Sequence, residues 1–346
     1  AKGYELLRQR GIALEDEPCN GKLALLFTGQ GSQYLDMGLD LAAVFPVVAK
    51  TFAEADAVMT PILGRPLTDY IRRDPALSEE AAFEALVATE IAQPATLTMD
   101  VAMMRLLADF GVEGDMVAGH SLGEYGAAVA AGIISFPEAL LAVSARGREM
   151  AAVQIDDRGK MASISTSLDN VQQVLAGISG YVIAANKNCP SQTVIAGASD
   201  AVEAACEAFR AKGHTVAMVP VSHAFHSAIV APASEPLRRV LERLNIQPPT
   251  KKITSNVTGD YYPTGEGARD QVIDLLAKQV AAPVEWIAQI ERMHADGARI
   301  FVECGPKRAL SSFVAATLKR VPHRAMSTNH PKRGGLLSFL DTLAAL

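Results

Sequence analysis

Apolar and polar positions along the first part of the chain predict strands and helices in alternation. The run KLALLF (22–27) is apolar after its first residue and predicts a buried strand. A long stretch, 34–112, has apolar residues at helical spacing. After it, the short apolar run DMVAGH (115–120) predicts a second strand, and helices are predicted at 121–132 and 135–153. This alternation is typical of an α/β fold.

The pattern changes after residue 159. Elements of the order β-α-β-β-α-β are predicted within about 60 residues, 160–221, and this order is that of a compact ferredoxin-like unit. Because the unit lies between two α/β stretches, we interpret it as an inserted small subdomain. The flanking parts, 22–159 and 222–346, then form one large subdomain, and 1–21 is interpreted as a linker or lead-in.

Beyond the insertion, the pattern predicts a helix from about residue 226, strands at 251–257 and 299–304, and closing helices. The chain lacks an initial methionine and ends on a helix-like apolar stretch. We therefore expect it to be a piece of a longer polypeptide, with a processed or trimmed chain as the alternative.

Composition narrows the class of protein. The 346 residues are 49% hydrophobic and 20% charged, as expected of a soluble globular protein with a sizeable core. A net charge of −6 makes nucleic acid an unfavourable partner. No apolar run reaches the roughly 18 residues of a membrane span, and no secretory signal is present. Four scattered cysteines predict neither disulfides nor a metal site and fit a reducing cytoplasm.

A nucleophile candidate follows the second predicted strand. Gly119-His120-Ser121-Leu122-Gly123 is a G-x-S-x-G pattern between an apolar strand and a helix. In that context the serine sits on a sharp turn with its hydroxyl exposed, and the helix N-terminus favours a developing oxyanion. The alternative is a glycine-rich turn whose serine only caps the helix.

A serine nucleophile needs a base, and the stretch HAFHS provides two candidates. His223 and His226 lie where the inserted unit returns to the large subdomain, a natural cleft wall. His120 adjoins the serine and is expected to point elsewhere. The remaining histidines lie at a strand start or in polar or terminal surroundings.

Two further segments can supply binding groups. Arg146 follows Ser121 by 25 residues, late on the second helix after the turn, and could fold back towards the serine. Its alternative role is that of a solvated helix end, and Arg148 competes for the binding role. Gln30, between two glycines in TGQGSQ (28–33), could aim an amide or backbone N–H at an oxyanion. The same turn could bind phosphate, but it lacks the Lys-Ser/Thr of a P-loop.

These motifs occur together in a fixed order: GQGSQ, QPA (93–95), GHSLGE, Arg146, NKNCPSQTVIAG, HAFHS, PVEW (283–286) and ECGP (303–306). The set resembles the malonyl-CoA:acyl carrier protein transacylase family over about residues 22–330. It is most similar to acyltransferase domains of type I, iterative polyketide synthases and polyunsaturated fatty acid synthases. The small residues of the helix after Ser121 favour a branch such as the enediyne type. The resemblance implies an α/β-hydrolase-like domain with a ferredoxin-like insertion.

The resemblance also implies a role for each matching residue. Ser121 becomes the acyl-enzyme, His226 is its general base, and backbone carbonyls rather than an aspartate orient the imidazole. Gln30 and the backbone N–H of Leu122 form the oxyanion hole, and Arg146 binds the free malonyl carboxylate. Further residues are implied to line the substrate site: Gln93, Asn188, His223 and Phe225.

Within that set, His223 and Phe225 resemble the malonyl-type signature, in which a bulky aromatic crowds the α-carbon of the acyl group. The alternative for Phe225 is packing beneath the junction. Cys304 departs from the family pattern, which has an aliphatic residue there, and is expected to be a buried, inert thiol.

The implied reaction moves malonyl from malonyl-CoA to the phosphopantetheine thiol of an acyl carrier protein, without a bound cofactor or metal. A ketosynthase domain is the expected neighbour in a parent synthase. Two alternatives stay open: a serine hydrolase or thioesterase using the same turn, and a silent docking domain.

Overall fold

The structure is a computed structural model that describes residues 20–346. The predicted lead-in, 1–21, lies outside the described residues except for its last two positions. The described part forms two sheets surrounded by helices. Its strands are β1 (Lys22–Phe27), β2 (Met116–Gly119), β3 (Lys160–Ser165), β4 (Val182–Cys189), β5 (Gln192–Gly197), β6 (Thr215–Met218), β7 (Lys252–Ile253), β8 (Ala298–Cys304) and β9 (Arg324–Ser327).

Helices of the described part cover both faces of the first sheet and one face of the second. In chain order they are α1 (Leu39–Ala42), α2 (Pro46–Leu63), α3 (Leu67–Ile71), α4 (Glu79–Val87), α5 (Thr89–Asp109), α6 (Gly123–Ala130), α7 (Phe136–Ala151), α8 (Leu168–Leu175), α9 (Ser199–Ala211), α10 (Ser234–Glu242), α11 (Ala268–Lys278), α12 (Trp286–Ala295), α13 (Ala309–Thr317) and α14 (Gly335–Ala345). In residues 20–346, every helix is too short or too polar to cross a membrane.

The first sheet is parallel and has the strand order β7-β2-β1-β8-β9. Its central strand sends Leu25 and Phe27 into one apolar cluster and Ala24 and Leu26 into another. Burial on both faces explains why this strand is apolar without alternation. Phe27 pairs with the last residues of both β2 and β8, so the turns after these three strands meet at one edge of the sheet.

The second sheet is antiparallel, with the order β4-β5-β3-β6. Its strands and the helices α8 and α9 follow one another as β-α-β-β-α-β, which is the predicted order of elements. Both helices are amphipathic, and they cover the sheet with an apolar cluster of its own. The cluster consists of Ala162, Ile164, Val171, Val174, Ile195, Val202, Ala205, Cys206 and Phe209.

Three predicted elements differ from the structure. The strand predicted at 251–257 is reduced to Lys252–Ile253, because the chain turns back where the Ser255 N–H donates to Asp260 O. The helix predicted from about 226 begins as a 3-10 turn, Ala228–Ala233, which contains a proline. The closing helices are separated by the strand β9. Its four residues are all half-buried, and its sequence has no apolar run that would predict a strand.

Candidate active site

The turn from β2 to α6 is built on close backbone contacts. A Cβ on Gly119 would lie 2.0 Å from the Gly123 carbonyl, and a Cβ on Gly123 would lie 2.1 Å from Phe27 O. Only glycine therefore lets the first turn of α6 pack on the end of β1. Ser121, between the two glycines, has a left-handed φ of 53°. Such a conformation is strained for serine and is common at functional turns.

Asn256 holds this turn from the loop after β7. Its Oδ1 accepts the Ser121 N–H at 2.7 Å, and its Nδ2 donates to Gly119 O at 2.7 Å. The side chain is fully buried, so both bonds are shielded from water. This residue was not predicted from the sequence. Its signal is the polar TSN (254–256) inside an apolar strand prediction, where the polar side chains are nonetheless buried.

Ser121 Oγ lies 2.6 Å from His226 Nε2. The other ring nitrogen of His226, Nδ1, lies 3.1 Å from both Gln279 O and Ala282 O. Because carbonyl oxygens only accept, Nδ1 carries the hydrogen, and Nε2 is free to accept from the serine hydroxyl. Burial, helped by the positive charge of Arg146, lowers the pKa of His226 to about 3. The imidazole is therefore neutral near pH 7.

The structure distinguishes Arg146 from its competitor. Arg146 is 1% exposed, and its Nη2 lies 3.5 Å from Ser121 Oγ and 3.1 Å from Gln279 Oε1. Its Nε has no hydrogen-bond partner among the described residues, so the guanidinium keeps donor capacity. Arg148 is exposed and donates to Ser144 Oγ of its own helix at 3.3 Å. The interpretation of Arg146 as a solvated helix end is therefore wrong.

Gln30 and Gln93 lie together beside this centre. Gln93 Nε2 is 3.5 Å from Gln30 Oε1, and Gln30 Nε2 is 3.5 Å from Thr89 Oγ1. Gln93 is fully buried, and its Oε1 has no partner among the described residues. Leu122 follows the serine directly and is the N-cap residue of α6. The glycine-rich turn after β1 packs against the serine turn, since a Cβ on Gly29, the neighbour of Gln30, would lie 2.6 Å from His120 O.

The other predicted site residues lie farther out in the network of contacts. His223 Nε2 is 3.1 Å from Val153 O, and its ring centroid is 6.4 Å from that of Phe225. Both side chains are buried. Asn188 Oδ1 accepts from His120 Nε2 at 2.8 Å, so His120 points away from the serine as expected. Among the predicted residues, direct side-chain contact therefore joins Ser121 with His226 and Arg146.

Two further buried residues contact this centre, and neither was predicted from the sequence. Gln279 Nε2 donates to Ser121 O at 2.5 Å and to Glu124 Oε2 at 2.9 Å. Glu124 is fully buried, and burial raises its pKa to about 7, although nearby donors and Arg146 lower it in part. Glu124 ends the quoted motif GHSLGE, which was its available signal. Gln279 follows the helix α11 and has no motif around it.

Comparisons with known proteins show the family to which the chain belongs. A family model described as an acyl transferase domain matches residues 24–343. The malonyl CoA-acyl carrier protein transacylase of Bacillus subtilis (strain 168) is 34% identical over 311 residues, 88% of this chain and 93% of that protein.

Solved structures match over nearly the whole chain. The acyltransferase domain from the second module of the salinomycin polyketide synthase superposes with a TM-score of 0.82 at 33% identity, covering 99% of this chain and 79% of that one. A malonyl-transacylase solved in complex with its type II polyketide synthase acyl-carrier protein gives a TM-score of 0.80 at 32% identity, covering 93% and 99%. The fold is thus a mixed α/β fold with a parallel sheet and a separate antiparallel sheet, and the chain belongs to the acyl transferase domain family.

Proposed function

We propose that this protein is a malonyl-CoA:acyl carrier protein transacylase that uses Ser121 as its nucleophile. One observation carries the proposal: a buried guanidinium, Arg146, lies 3.5 Å from a serine hydroxyl that is bonded to a neutral imidazole. A hydrolase of neutral esters has no use for a buried cation at that position. The matched transacylase of Bacillus subtilis supports the same substrate class.

In the first half-reaction, His226 Nε2 takes the proton of Ser121 as Oγ attacks the thioester carbonyl of malonyl-CoA. The C–S bond then breaks, the CoA thiolate leaves, and it takes the proton from His226. Ser121 is left as the malonyl ester. A neutral imidazole can act as this base without prior deprotonation, because its pKa is about 3 in the folded protein.

The tetrahedral intermediate needs donors for its oxyanion. The backbone N–H of Leu122, at the start of α6, and the amide of Gln30 are proposed to supply them. The helix N-terminus adds positive potential at the same point. One such donor contributes roughly 3–4 kcal/mol to lowering the barrier.

Arg146 is proposed to bind the free carboxylate of the malonyl group. A charge-assisted hydrogen bond contributes about 1.5–3 kcal/mol, and a guanidinium can make two to one carboxylate. The burial of Arg146 keeps these bonds away from competing water. This clamp selects dicarboxylic acyl groups over acetyl.

The second half-reaction transfers malonyl to a carrier protein. The phosphopantetheine thiol of the carrier gives its proton to His226, its sulfur attacks the ester carbon, and Ser121 leaves with the proton from His226. No bound cofactor is required. The carrier as partner is supported by the similar transacylase solved with its acyl-carrier protein. A neighbouring ketosynthase domain is proposed for a parent synthase, as the match to a polyketide synthase domain suggests.

His223 and Phe225 are proposed to limit the size of the acyl group, with Gln93 and Asn188 supporting the walls of the site. The contacts of His223 with Val153 O and of Asn188 with His120 would fix these walls. Loss of fit for one extra methyl amounts to about 1–3 kcal/mol, so selection against methylmalonyl should be moderate.

The architecture is proposed to be α/β-hydrolase-like, with 160–221 as a ferredoxin-like subdomain inserted in 22–159 and 222–346. The separate apolar cluster of the antiparallel sheet supports this division. Free thiols at buried positions support a reducing, cytoplasmic location; they are Cys189, Cys206 and Cys304.

Incubation with labelled malonyl-CoA tests the function directly. The wild type should gain one malonyl group on Ser121 by intact mass and peptide mapping, and Ser121→Ala should gain none. The label should then move to a phosphopantetheinylated carrier faster than it is lost to water. Absence of label, or label retained in Ser121→Ala, contradicts the proposal. Loss of label to water at the same rate with and without the carrier would favour the alternative, a hydrolase or thioesterase.

A further inference from the structure

Glu124 is a buried carboxylate that the proposed chemistry does not use. It lies on α6, three residues after the nucleophile, and is fully buried. Its Oε1 accepts from the Tyr262 hydroxyl at 2.5 Å and from the Asn256 N–H at 3.1 Å. Its Oε2 accepts from Gln279 Nε2 at 2.9 Å. All three donors come from segments more than 130 residues later in the chain, so their convergence is a tertiary feature.

The Gln279 amide connects this carboxylate to the substrate-binding cation. Its NH₂ end donates to Glu124 Oε2 and to Ser121 O, and its oxygen accepts from Arg146 Nη2 at 3.1 Å. The two ends of an amide are chemically opposite, one donor and one acceptor. A reversed amide would set its oxygen against two acceptors and its NH₂ against the guanidinium. The polarity of the amide is therefore determined by its neighbours.

We infer that Glu124 is a positioning residue: it fixes the orientation of the Gln279 amide, whose oxygen then holds the Arg146 guanidinium beside Ser121 for the malonyl carboxylate. The inference rests on the proposed function. The two acceptors that face the NH₂ end of Gln279 are Ser121 O and Glu124 Oε2. Of these, only the Glu124 oxygen belongs to a side chain that a substitution can turn into a donor.

The amide between the two charges has a second consequence. Burial lowers the pKa of Arg146, and the ionised forms of Tyr125 and Glu124 oppose this shift by favouring the charged guanidinium. In a direct ion pair, the glutamate would occupy the donors that the malonyl carboxylate needs. Through Gln279 the anion stays close without competing for them.

Glu124→Gln tests the inference, because it keeps the size of the side chain and replaces one acceptor by a donor. For malonyl-CoA, kcat/KM of Ser121 acylation should fall about 10- to 100-fold, mainly through KM, which is the loss expected for one charge-assisted bond. Hydrolysis of p-nitrophenyl acetate, which needs Ser121 and His226 but offers no carboxylate, should change less than about 3-fold.

Glu303→Gln is the matched control, since Glu303 is also fully buried and burial also raises its pKa to about 7. Its two rates should both stay within about 3-fold of the wild type. In an Arg146→Ala background, Glu124→Gln should cause no further loss with malonyl-CoA, because the two residues act in series.

The outcomes separate the two proposals. If malonyl-CoA does not label Ser121 of the wild type, the proposed function fails. If Arg146→Ala leaves malonyl transfer intact, the function stands, but the role of Arg146 and the inference built on it are overturned. If Arg146→Ala impairs it while Glu124→Gln has no effect, or slows both substrates equally, the inference alone is overturned. Should Glu124→Gln not fold, Gln279→Met tests the second link of the inference, from the amide to Arg146, since it removes the amide and keeps the backbone carbonyl that orients His226. A malonyl-selective loss supports the inference, and an equal loss on both substrates overturns it.

Discussion

Two fully buried glutamates lie beside the turns after β2 and β8, at the same edge of the parallel sheet: Glu124 on α6 and Glu303 at the end of β8. Glu303 accepts from the backbone N–H groups of Leu310 and Ser311 and from the Ser311 hydroxyl, all on the helix that follows it. Glu124 accepts from residues of distant segments, as described above. Burial raises the pKa of both to about 7.

The difference between them lies in their donors. Local donors on α13 let Glu303 fix the start of one helix, which is a matter of stability. Distant donors let Glu124 connect the nucleophile turn with Gln279, and so with Arg146. A buried carboxylate with a raised pKa is therefore not enough to locate a functional site; the elements that its partners join must be examined as well.

The strongest test of this contrast removes the proposed base, His226, whose Nε2 lies 2.6 Å from the serine hydroxyl of the first turn. His226→Ala should slow acylation of Ser121 about 10²- to 10⁴-fold, because the serine hydroxyl loses its only direct proton acceptor among the described side chains. Quenched-flow intact mass measures the rate. His294→Ala, a half-buried histidine on α12, serves as the control and should acylate at the wild-type rate. A loss below 10-fold for His226→Ala would contradict the proposal that His226 accepts the proton of Ser121.

A smaller effect is expected from the backbone of the same turn. In Gly123→Ala, the new Cβ would lie 2.1 Å from Phe27 O, a backbone atom that cannot yield, so α6 must move away from β1. We expect about 1–3 kcal/mol lower stability and, if Ser121 moves by about 1 Å, roughly 10²-fold slower acylation. Thermal unfolding and the acylation assay measure both.

Gly177→Ala is the control for this substitution, because the nearest atom to its new Cβ is Val174 O at an ordinary 3.6 Å. Its stability and acylation rate should stay near the wild type. If Gly123→Ala behaves in the same way, the close contact at the first turn is not what places Ser121.

Substitution of Glu303, beside the second turn, should change the stability of the protein and the pH dependence of that stability without slowing catalysis. The pKa of Glu303 is raised from 4.5 to about 7, so between these values the folded state binds the proton more tightly than the unfolded state. The wild type therefore loses stability as pH rises from 4.5 to 7, by up to about 3 kcal/mol from this group. Glu303→Gln cannot titrate, and urea unfolding at pH 5 and pH 8 should show a smaller decrease. Equal decreases would contradict the assignment.

Sequence patterns predicted the elements that have local signals, such as an apolar run or an N-cap serine. β1 coincides with the predicted KLALLF, and α7 begins after Ser135 as expected, with the serine side chain accepting from the Glu138 N–H. β9 was missed because its four residues are only half-buried at an edge of the sheet. Its pairing with β8 is a tertiary contact that leaves no periodic signal.

The residues of the site divide in the same way, into those with a local sequence signal and those placed by tertiary packing. Ser121 stands in a local motif and was predicted from it, whereas the choice of His226 over His223 came from the family resemblance. The depth of Arg146 depends on the packing of α7 against α5, where a Cβ on Gly147 would lie 3.0 Å from Thr89 O. Asn256 and Gln279 act across more than 130 residues of chain, a separation that sequence spacing cannot bridge.

The two carbonyl groups that orient His226 also affect how this site can change by mutation. An aspartate in that place can be lost through a single codon change. The oxygens of Gln279 and Ala282 belong to the main chain, so any substitution that leaves the course of the backbone intact retains them. We therefore expect the orientation of His226 to survive a change of side chain at Ala282, and we expect insertions or deletions in this segment to be far more damaging than that substitution.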